Sequence, residues 1–283
     1  MEEKILVIGA CGQIGTELTL KLREIYGDLN VTAADIREPS AALGEHGSFV
    51  SLNTLHRDAV ASLLKNHRFT QVYLLAAVLS AVGEKDPRLA WEVNMQSLLN
   101  VLDAAKEGVV QKIFWPSSIA VFGKNTPKLF CPRNSVLQPA TAYGSSKVAG
   151  EVLCNYYFEK YGVDMRSLRY PGLISHLAAP GGGTTDYAVD IFHAVIEEGR
   201  FGCFLRKNTL LPMMYMPDTI RATMELAEAI GNYIPDFSVE YVPDYRQKIA
   251  DGWPGNIDDA EARSEWGWEP AFDLPKMTRD MLR

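Results

Sequence analysis

The chain has 283 residues, 47% of them apolar, and 28 Lys+Arg against 35 Asp+Glu give it a net charge of −7. That apolar share, with 11 Phe, 12 Tyr and 5 Trp, suffices for a buried core and excludes a disordered chain. The acidic balance, without a long Lys/Arg run, argues against a nucleic-acid partner, and no run approaches the ~18 apolar residues of a membrane span. Met1-Glu2-Glu3-Lys4 lacks the basic-then-apolar order of a secretory signal. Cys11, Cys131, Cys154 and Cys203 are scattered, without CxxC pairs or zinc-type spacing. They read as reduced thiols of a cytoplasmic protein that holds no metal.

In chain order, Ile5 to Ile8 reads as a buried strand, and Gln13 to Tyr26 as a helix with Ile14, Leu18 and Leu22 on one face. Further strands read at Val31 to Ala34, Val72 to Leu75 and Lys112 to Trp115, separated by helices near Asp58 to Lys65 and Pro87 to Lys106. This alternation predicts an α/β fold with a doubly wound parallel sheet. Gly123 to Pro139 is a Pro-rich loop, Ala140 to Tyr161 a long helix, and Val163 to Leu168 another strand. Beyond Pro171 the pattern changes. A glycine loop at Pro180-Gly181-Gly182-Gly183 and a helix near Tyr187 to Glu198 precede a stretch of Pro, Trp and short helical pieces. Residues 1–175 are therefore expected to form the sheet domain. Residues 176–283 are expected to form mainly a smaller substrate-binding lobe, partly interleaved with it.

Gly9-Ala10-Cys11-Gly12-Gln13-Ile14-Gly15 joins the first strand to the first helix. Glycines there allow a tight turn and close approach of a pyrophosphate to the N–H groups and positive dipole of the helix start. The spacing is GxxGxxG, a slightly longer loop than GxGxxG. Asp35 ends the second strand about 20 residues on, where a carboxylate accepts ribose hydroxyls and repels a 2′-phosphate. This favours NAD over NADP, with the nearby Ile36 and Arg37 counted with the site and Arg37 as the residue that blurs the preference. Leu75, Ala76 and Ala77 offer small residues at a later strand end, although packing alone would also explain them.

Tyr143 and Lys147 stand four apart at the start of the long helix, on one face of it. Tyr156 and Lys160 repeat the spacing roughly 20 Å further along and are assigned to packing and solvent. A tyrosine acting as general base needs its pKa lowered from about 10, which nearby cations such as Lys147 and an oxidised nicotinamide favour. Ser118, just past a strand end, can hold a substrate hydroxyl toward that phenol. Ser117 beside it is equally explained by satisfying backbone groups.

The combination GACGQIG, strand-end Asp35, Leu75-Ala76-Ala77, PSSIAVFG from Pro116 to Gly123, YGSSK, and RYPGLIS from Arg169 to Ser175 resembles the extended short-chain dehydrogenase/reductase superfamily, near UDP-galactose 4-epimerase. The resemblance implies a Rossmann fold, NAD as cofactor, and Ser118, Tyr143 and Lys147 as catalytic set. It also implies Asn94 as support of the site, Tyr170 and Pro171 at the nicotinamide side, and Asn53 near the adenine, where the superfamily often has Asp. Pro180 to Tyr187 and Pro243 to Pro254, with Leu79 to Glu84 and Trp266-Gly267-Trp268, resemble the epimerase-like L-threonine 3-dehydrogenases. L-threonine is then the expected substrate, held by Ser80, Gly182, Thr184 and Thr185, with Asp186 at the ammonium. Capping of the following helix is a competing role for Thr185 and Asp186. A homodimer through the helices containing Asn94 to Lys106 and Tyr143 to Tyr161 is also implied. In one place the chain departs from that pattern: between the helix ending near Ala229 and Pro235-Asp236-Phe237 the family carries a strand and a helix of roughly 25 residues, too long for an ordinary connection, where here stand Ile230 to Ile234. The competing functions are a nucleotide-sugar epimerase or dehydratase and a non-catalytic NAD-sensing regulator. The complete Ser/Tyr/Lys set disfavours the regulator.

Overall fold

A computed structural model describes residues 3–177, 180–224, 238–241, 245–266, 268–273, 276–277 and 280. The strands are β1 (Ile5–Ile8), β2 (Val31–Asp35), β3 (Phe49–Ser51), β4 (Gln71–Leu74), β5 (Lys112–Phe114), β6 (Ser117–Ser118), β7 (Asp164–Arg166), β8 (Arg169–Tyr170), β9 (Gly172–Ile174), β10 (Arg200–Cys203), β11 (Met213–Tyr215) and β12 (Ser238–Tyr241). The helices are α1 (Gln13–Tyr26), α2 (Ala41–Gly44), α3 (Arg57–His67), α4 (Ser80–Gly83), α5 (Pro87–Ala105), α6 (Ala142–Tyr161), α7 (Tyr187–Glu197), α8 (Met216–Met224), α9 (Tyr245–Ala250) and α10 (Ala260–Trp266).

Six strands form one parallel sheet in the order β3-β2-β1-β4-β5-β7. Residues along a strand alternate between its two faces, so a strand buried on both sides reads as continuously apolar. In β1, Leu6 and Ile8 join a core with Val72 and Leu74 of β4, Val60 and Leu64 of α3, Leu98 and Leu102 of α5, and Cys154 and Tyr157 of α6. Ile5 and Val7 face the other way, against Leu18 and Leu22 of α1 and Met216 and Ile220 of α8. The sheet is therefore covered on both sides. Its strand order reverses between β1 and β4, the position at whose carboxyl edge open α/β sheets bind ligands.

Among the described residues, three two-strand pairs lie outside the main sheet: β6 with β8, β9 with β11, and β10 with β12. β6 and β8, of two residues each, and β9 and β11, of three, are too short to show a period in sequence. The segment after residue 176 crosses back repeatedly. Cys131 bridges to Ile257, and Ile249 and Trp253 pack with Ile119 to Phe122. The expected strand Val163 to Leu168 is the shorter β7, followed by β8. Of the two helices expected at a dimer contact, the stretch 94–106 turns Met95, Leu98, Val101 and Leu102 inward, whereas Val152, Tyr156, Phe158 and Tyr161 on α6 and Leu89 and Trp91 at the start of α5 are exposed. The shortened connection at Ile230 to Ile234 lies outside the described residues. No described helix is long and apolar enough to cross a membrane.

Candidate active site

At the carboxyl edge of the sheet lies a cavity of about 570 Å³. One end is the glycine loop. Gly9 has φ +86°, and a Cβ there would stand 2.5 Å from the Ala76 nitrogen, so the loop needs glycine and the end of β4 lies directly against it. A Cβ on Gly15 would stand 2.1 Å from the Gly9 carbonyl oxygen. Gly9 and Ala10 N–H groups donate to the Ala34 carbonyl at 2.8 and 3.1 Å, which anchors the loop to β2. Gly12 starts α1 without a side-chain cap, leaving the helix start open to an external anion.

Asp35 is buried at the end of β2. Its Oδ2 accepts the Cys11 N–H at 2.9 Å and its Oδ1 accepts the Arg37 N–H at 2.9 Å, with Arg37 Nε 3.3 Å from the same oxygen. Arg37 also reaches over the loop, its Nη2 lying 3.9 Å from where a Gly12 Cβ would stand. Gln13 Nε2 is buried with no hydrogen-bond partner among the described residues, although Gln13 lines the cavity. A buried donor without an acceptor is costly, so a ligand bearing acceptor oxygens fits this end. Asn53 and Ile36 line the same end, where Asn53 Oδ1 accepts the Leu55 N–H at 3.0 Å.

At the other end stand Ser118, Tyr143 and Lys147. Thr141 caps α6, its Oγ1 accepting the Gly144 N–H at 2.9 Å, and Glu84 Oε1 accepts the Ala142 N–H at 2.8 Å. Gly144 lets the helix start approach the turn after β6: a Cβ there would stand 2.1 Å from the Ala120 carbonyl oxygen. Asn94 lies outside the cavity lining and supports it. Its side chain accepts the Val78 N–H at 2.8 Å and donates to Val78 O and Ser146 Oγ at 3.1 Å each, while Ser146 Oγ donates to the Tyr143 carbonyl at 2.7 Å.

Burial pushes the Tyr143 phenol up to about 12, partly offset by a hydrogen bond with Ser118, and pushes the Lys147 ammonium down to about 7. Lys147 Nζ donates to the Pro116 carbonyl at 2.5 Å, lies 4.3 Å from the Trp115 ring centroid and 5.6 Å from that of Tyr143. Burial thus outweighs any lowering of the phenol by the neighbouring lysine.

The third wall comes from the segment after residue 176. Ser80 and Thr184 hydroxyls lie 3.0 Å apart, and the Thr184 N–H donates to Ser80 Oγ at 3.3 Å. Asp186 Oδ2 accepts the Gly182 and Gly183 N–H groups at 2.8 Å each. It makes no side-chain cap on α7, so its carboxylate closes the glycine loop. Gly182 itself does not line the cavity, though Gly181 and Gly183 do, and Thr184, Thr185 and Asp186 face it. Tyr170 and Pro171 line it too, with the Tyr170 hydroxyl bonded to Thr223 Oγ1 of α8. Leu75, Ala76 and Ala77 form the floor.

Trp253 was not singled out from sequence, although it stands in the stretch from Pro243 to Pro254. It lines the cavity, and its Nε1 is buried without a partner among the described residues. Leu79, Leu89 and Val93 add an apolar wall. Single apolar residues of this kind carry no sequence signal.

The NAD dependent epimerase/dehydratase family model matches residues 5–233. A protein of Staphylococcus haemolyticus named as an uncharacterized epimerase/dehydratase is 45% identical over 309 positions, covering 99% of this chain and 97% of that protein. Since this chain has 283 residues, that relative carries at least 26 positions without a counterpart here. Among solved structures, the GalE-like L-threonine dehydrogenase from Cupriavidus necator in its holo form is 48% identical with a TM-score of 0.91, covering 99% of this chain and 98% of that one. The L-threonine dehydrogenase from Clostridium difficile is 41% identical with a TM-score of 0.92, covering 99% and 97%. With a family model over most of its length and a relative of 45% identity over nearly all of it, the chain belongs to the NAD dependent epimerase/dehydratase family.

Proposed function

We propose that this protein is an NAD-dependent L-threonine 3-dehydrogenase, oxidising its substrate at C3 to 2-amino-3-oxobutyrate, which tends to lose CO2 to give aminoacetone. The observation that carries this reading is one cavity with an acidic strand end and bare glycine loop at one end and Ser118, Tyr143 and Lys147 at the other. The similarity to L-threonine dehydrogenases at 41–48% identity over nearly the whole chain supports the substrate.

Gly9, Gly12, Gln13, Ile14 and Gly15 would hold the pyrophosphate, Asp35 the ribose hydroxyls, and Tyr170 and Pro171 the nicotinamide side. Bound NAD supplies the hydride acceptor and a positive charge that favours the phenolate of Tyr143. Ser118 orients the substrate hydroxyl, and Tyr143 takes its proton. Lys147 holds the Pro116 carbonyl and the tyrosine's surroundings. The Ser80–Thr184 pair and Thr185 offer hydroxyls for the threonine carboxylate. One oxygen of Asp186 already serves the glycine loop, which fixes the carboxylate close to where an ammonium would lie.

In this reading residues 1–175 form the NAD-binding domain and 176–283 mainly the substrate lobe. The chain is a cytoplasmic homodimer, supported by its scattered cysteines and by the exposed apolar residues of α6. The test is NADH formation with L-threonine. Turnover of a sugar nucleotide with none of threonine would overturn the reading in favour of an epimerase or dehydratase.

A further inference from the structure

Glu151 lies on α6 one turn past Lys147 and two past Tyr143, on the same side of the helix. Its carboxylate joins three segments. Oε1 accepts the Ser117 hydroxyl at 2.5 Å and Arg169 Nε at 2.7 Å, and Oε2 accepts Arg169 Nη2 at 2.6 Å. The arginine is itself fixed: Nη1 donates to the Arg133 carbonyl at 2.6 Å, and the guanidinium lies 5.4 Å from the Phe122 ring centroid. Such a two-point arginine–carboxylate contact is strong and directional.

Ser117 and Arg169 are cross-strand partners, and the only other rung of that two-strand pair is Ser118 with Tyr170. The carboxylate therefore grips the rung next to the one that presents Ser118. On the preceding residue, the Pro116 carbonyl receives Lys147 Nζ. A ladder of two rungs has too little pairing of its own to hold a reacting group in place. Reacting groups, however, need placement within about 0.5 Å. A partly buried ion pair of this kind is weak evidence for stability, since desolvation consumes much of its attraction.

We propose that Glu151 is a positioning residue: through Ser117 and Arg169 it sets the separation between Ser118 on β6 and the Tyr143/Lys147 face of α6. The proposal rests on the assignment of those three residues to the reaction given above.

The test uses the full chain with NAD and L-threonine, comparing wild type, Glu151→Gln, Glu151→Asp, Ser117→Ala and the Glu151→Gln/Ser117→Ala double variant. Displacement of a reacting group by about 1 Å costs on the order of 100-fold. Glu151→Gln should lower kcat by about 10–100-fold, with KM for NAD and NAD affinity by fluorescence titration within about twofold. Glu151→Asp should recover part of the loss. Ser117→Ala, which leaves the Arg169 contact intact, should lower kcat by a smaller factor, and the double variant should fall no further than Glu151→Gln. Crystal structures of wild type and Glu151→Gln should differ in the Ser118 Oγ to Tyr143 Oη separation by about 0.5 Å or more. An unchanged separation, an unchanged kcat in Ser117→Ala, or losses that multiply in the double variant would overturn the proposal. Should Glu151→Gln fail to fold, Ser117→Ala decides by the same kcat and separation readouts. A wild type inert toward threonine would overturn the functional reading instead, and the separation would still decide the role of Glu151.

Discussion

The Asp35 carboxylate receives the main-chain N–H of Cys11 at 2.9 Å, so the acidic end of β2 is bonded directly to the glycine loop. One side chain thus shapes the loop and, in the proposed function, presents the charge that would select among dinucleotides. Asp35→Asn keeps an acceptor but removes the charge. KM for NAD should rise about tenfold, and the preference for NAD over NADP should narrow by more than that, because Arg37 then stands unopposed beside the ribose site. Steady-state kinetics with each cofactor measure both.

Tyr143→Phe removes the proton acceptor while keeping the ring. Turnover of threonine should fall by about 10³-fold or more. NAD affinity, measured by fluorescence titration, should stay within about threefold.

Gly150→Ala tests the packing below Lys147. A Cβ there would stand 2.2 Å from the Trp115 ring, the ring against which Lys147 Nζ rests at 4.3 Å. The indole must move, at a cost of about 1–3 kcal/mol in urea unfolding. Loss of kcat should accompany the loss of stability, because the lysine moves with its support.

Glu17 on α1 is buried and accepts the Ser175 hydroxyl at 2.5 Å; burial, with Asp280 nearby, raises its carboxyl to about 7. Above its ordinary value of 4.5 and below about 7, the folded state keeps a proton that the unfolded chain releases. Folding stability from this group is therefore full below pH 4.5 and lost as pH rises to about 7. Glu17→Gln lacks that slope. Relative to wild type it should gain up to about 3 kcal/mol between pH 4.5 and 8 in urea melts.

The dimer reading is tested at α6. Light scattering should give wild type at twice 31.4 kDa, and Val152→Glu, which places a charge on an exposed apolar position of that helix, should shift the mass toward 31.4 kDa.

Much of the nucleotide end was legible because its requirements are local. A buried strand, a turn needing glycines and an acidic strand end follow each other in sequence, and β1 and α1 form over the expected residues. Tyr143 was distinguishable from Tyr156 because helix geometry places them at opposite ends of α6. What failed to show was non-local. β6 and β8 have two residues each, too short for any period, and the hydroxyl of Ser117 proves to serve Glu151, 34 residues away. Trp253 reaches the cavity through packing between distant segments. Of the two roles the sequence offered for Asp186, the helix cap is not made: its carboxylate binds the Gly182 and Gly183 amides just before it. The expected lowering of the tyrosine pKa is absent from the chain by itself, since burial pushes the Tyr143 phenol up.

Met216 and Ile220 of α8 complete the core on the α1 side of β1. A ribosome that has released the first 175 residues has therefore made all six sheet strands, but the face that α1 covers still lacks the part of its core that α8 supplies. Apolar side chains facing Met216 and Ile220 stay wet until α8 emerges. Residues on both sides of Ser175 thus share one core: a fragment ending at Ser175 should bind hydrophobic dye and aggregate, and grafts that exchange the segment after residue 176 must carry α8 along with the sheet.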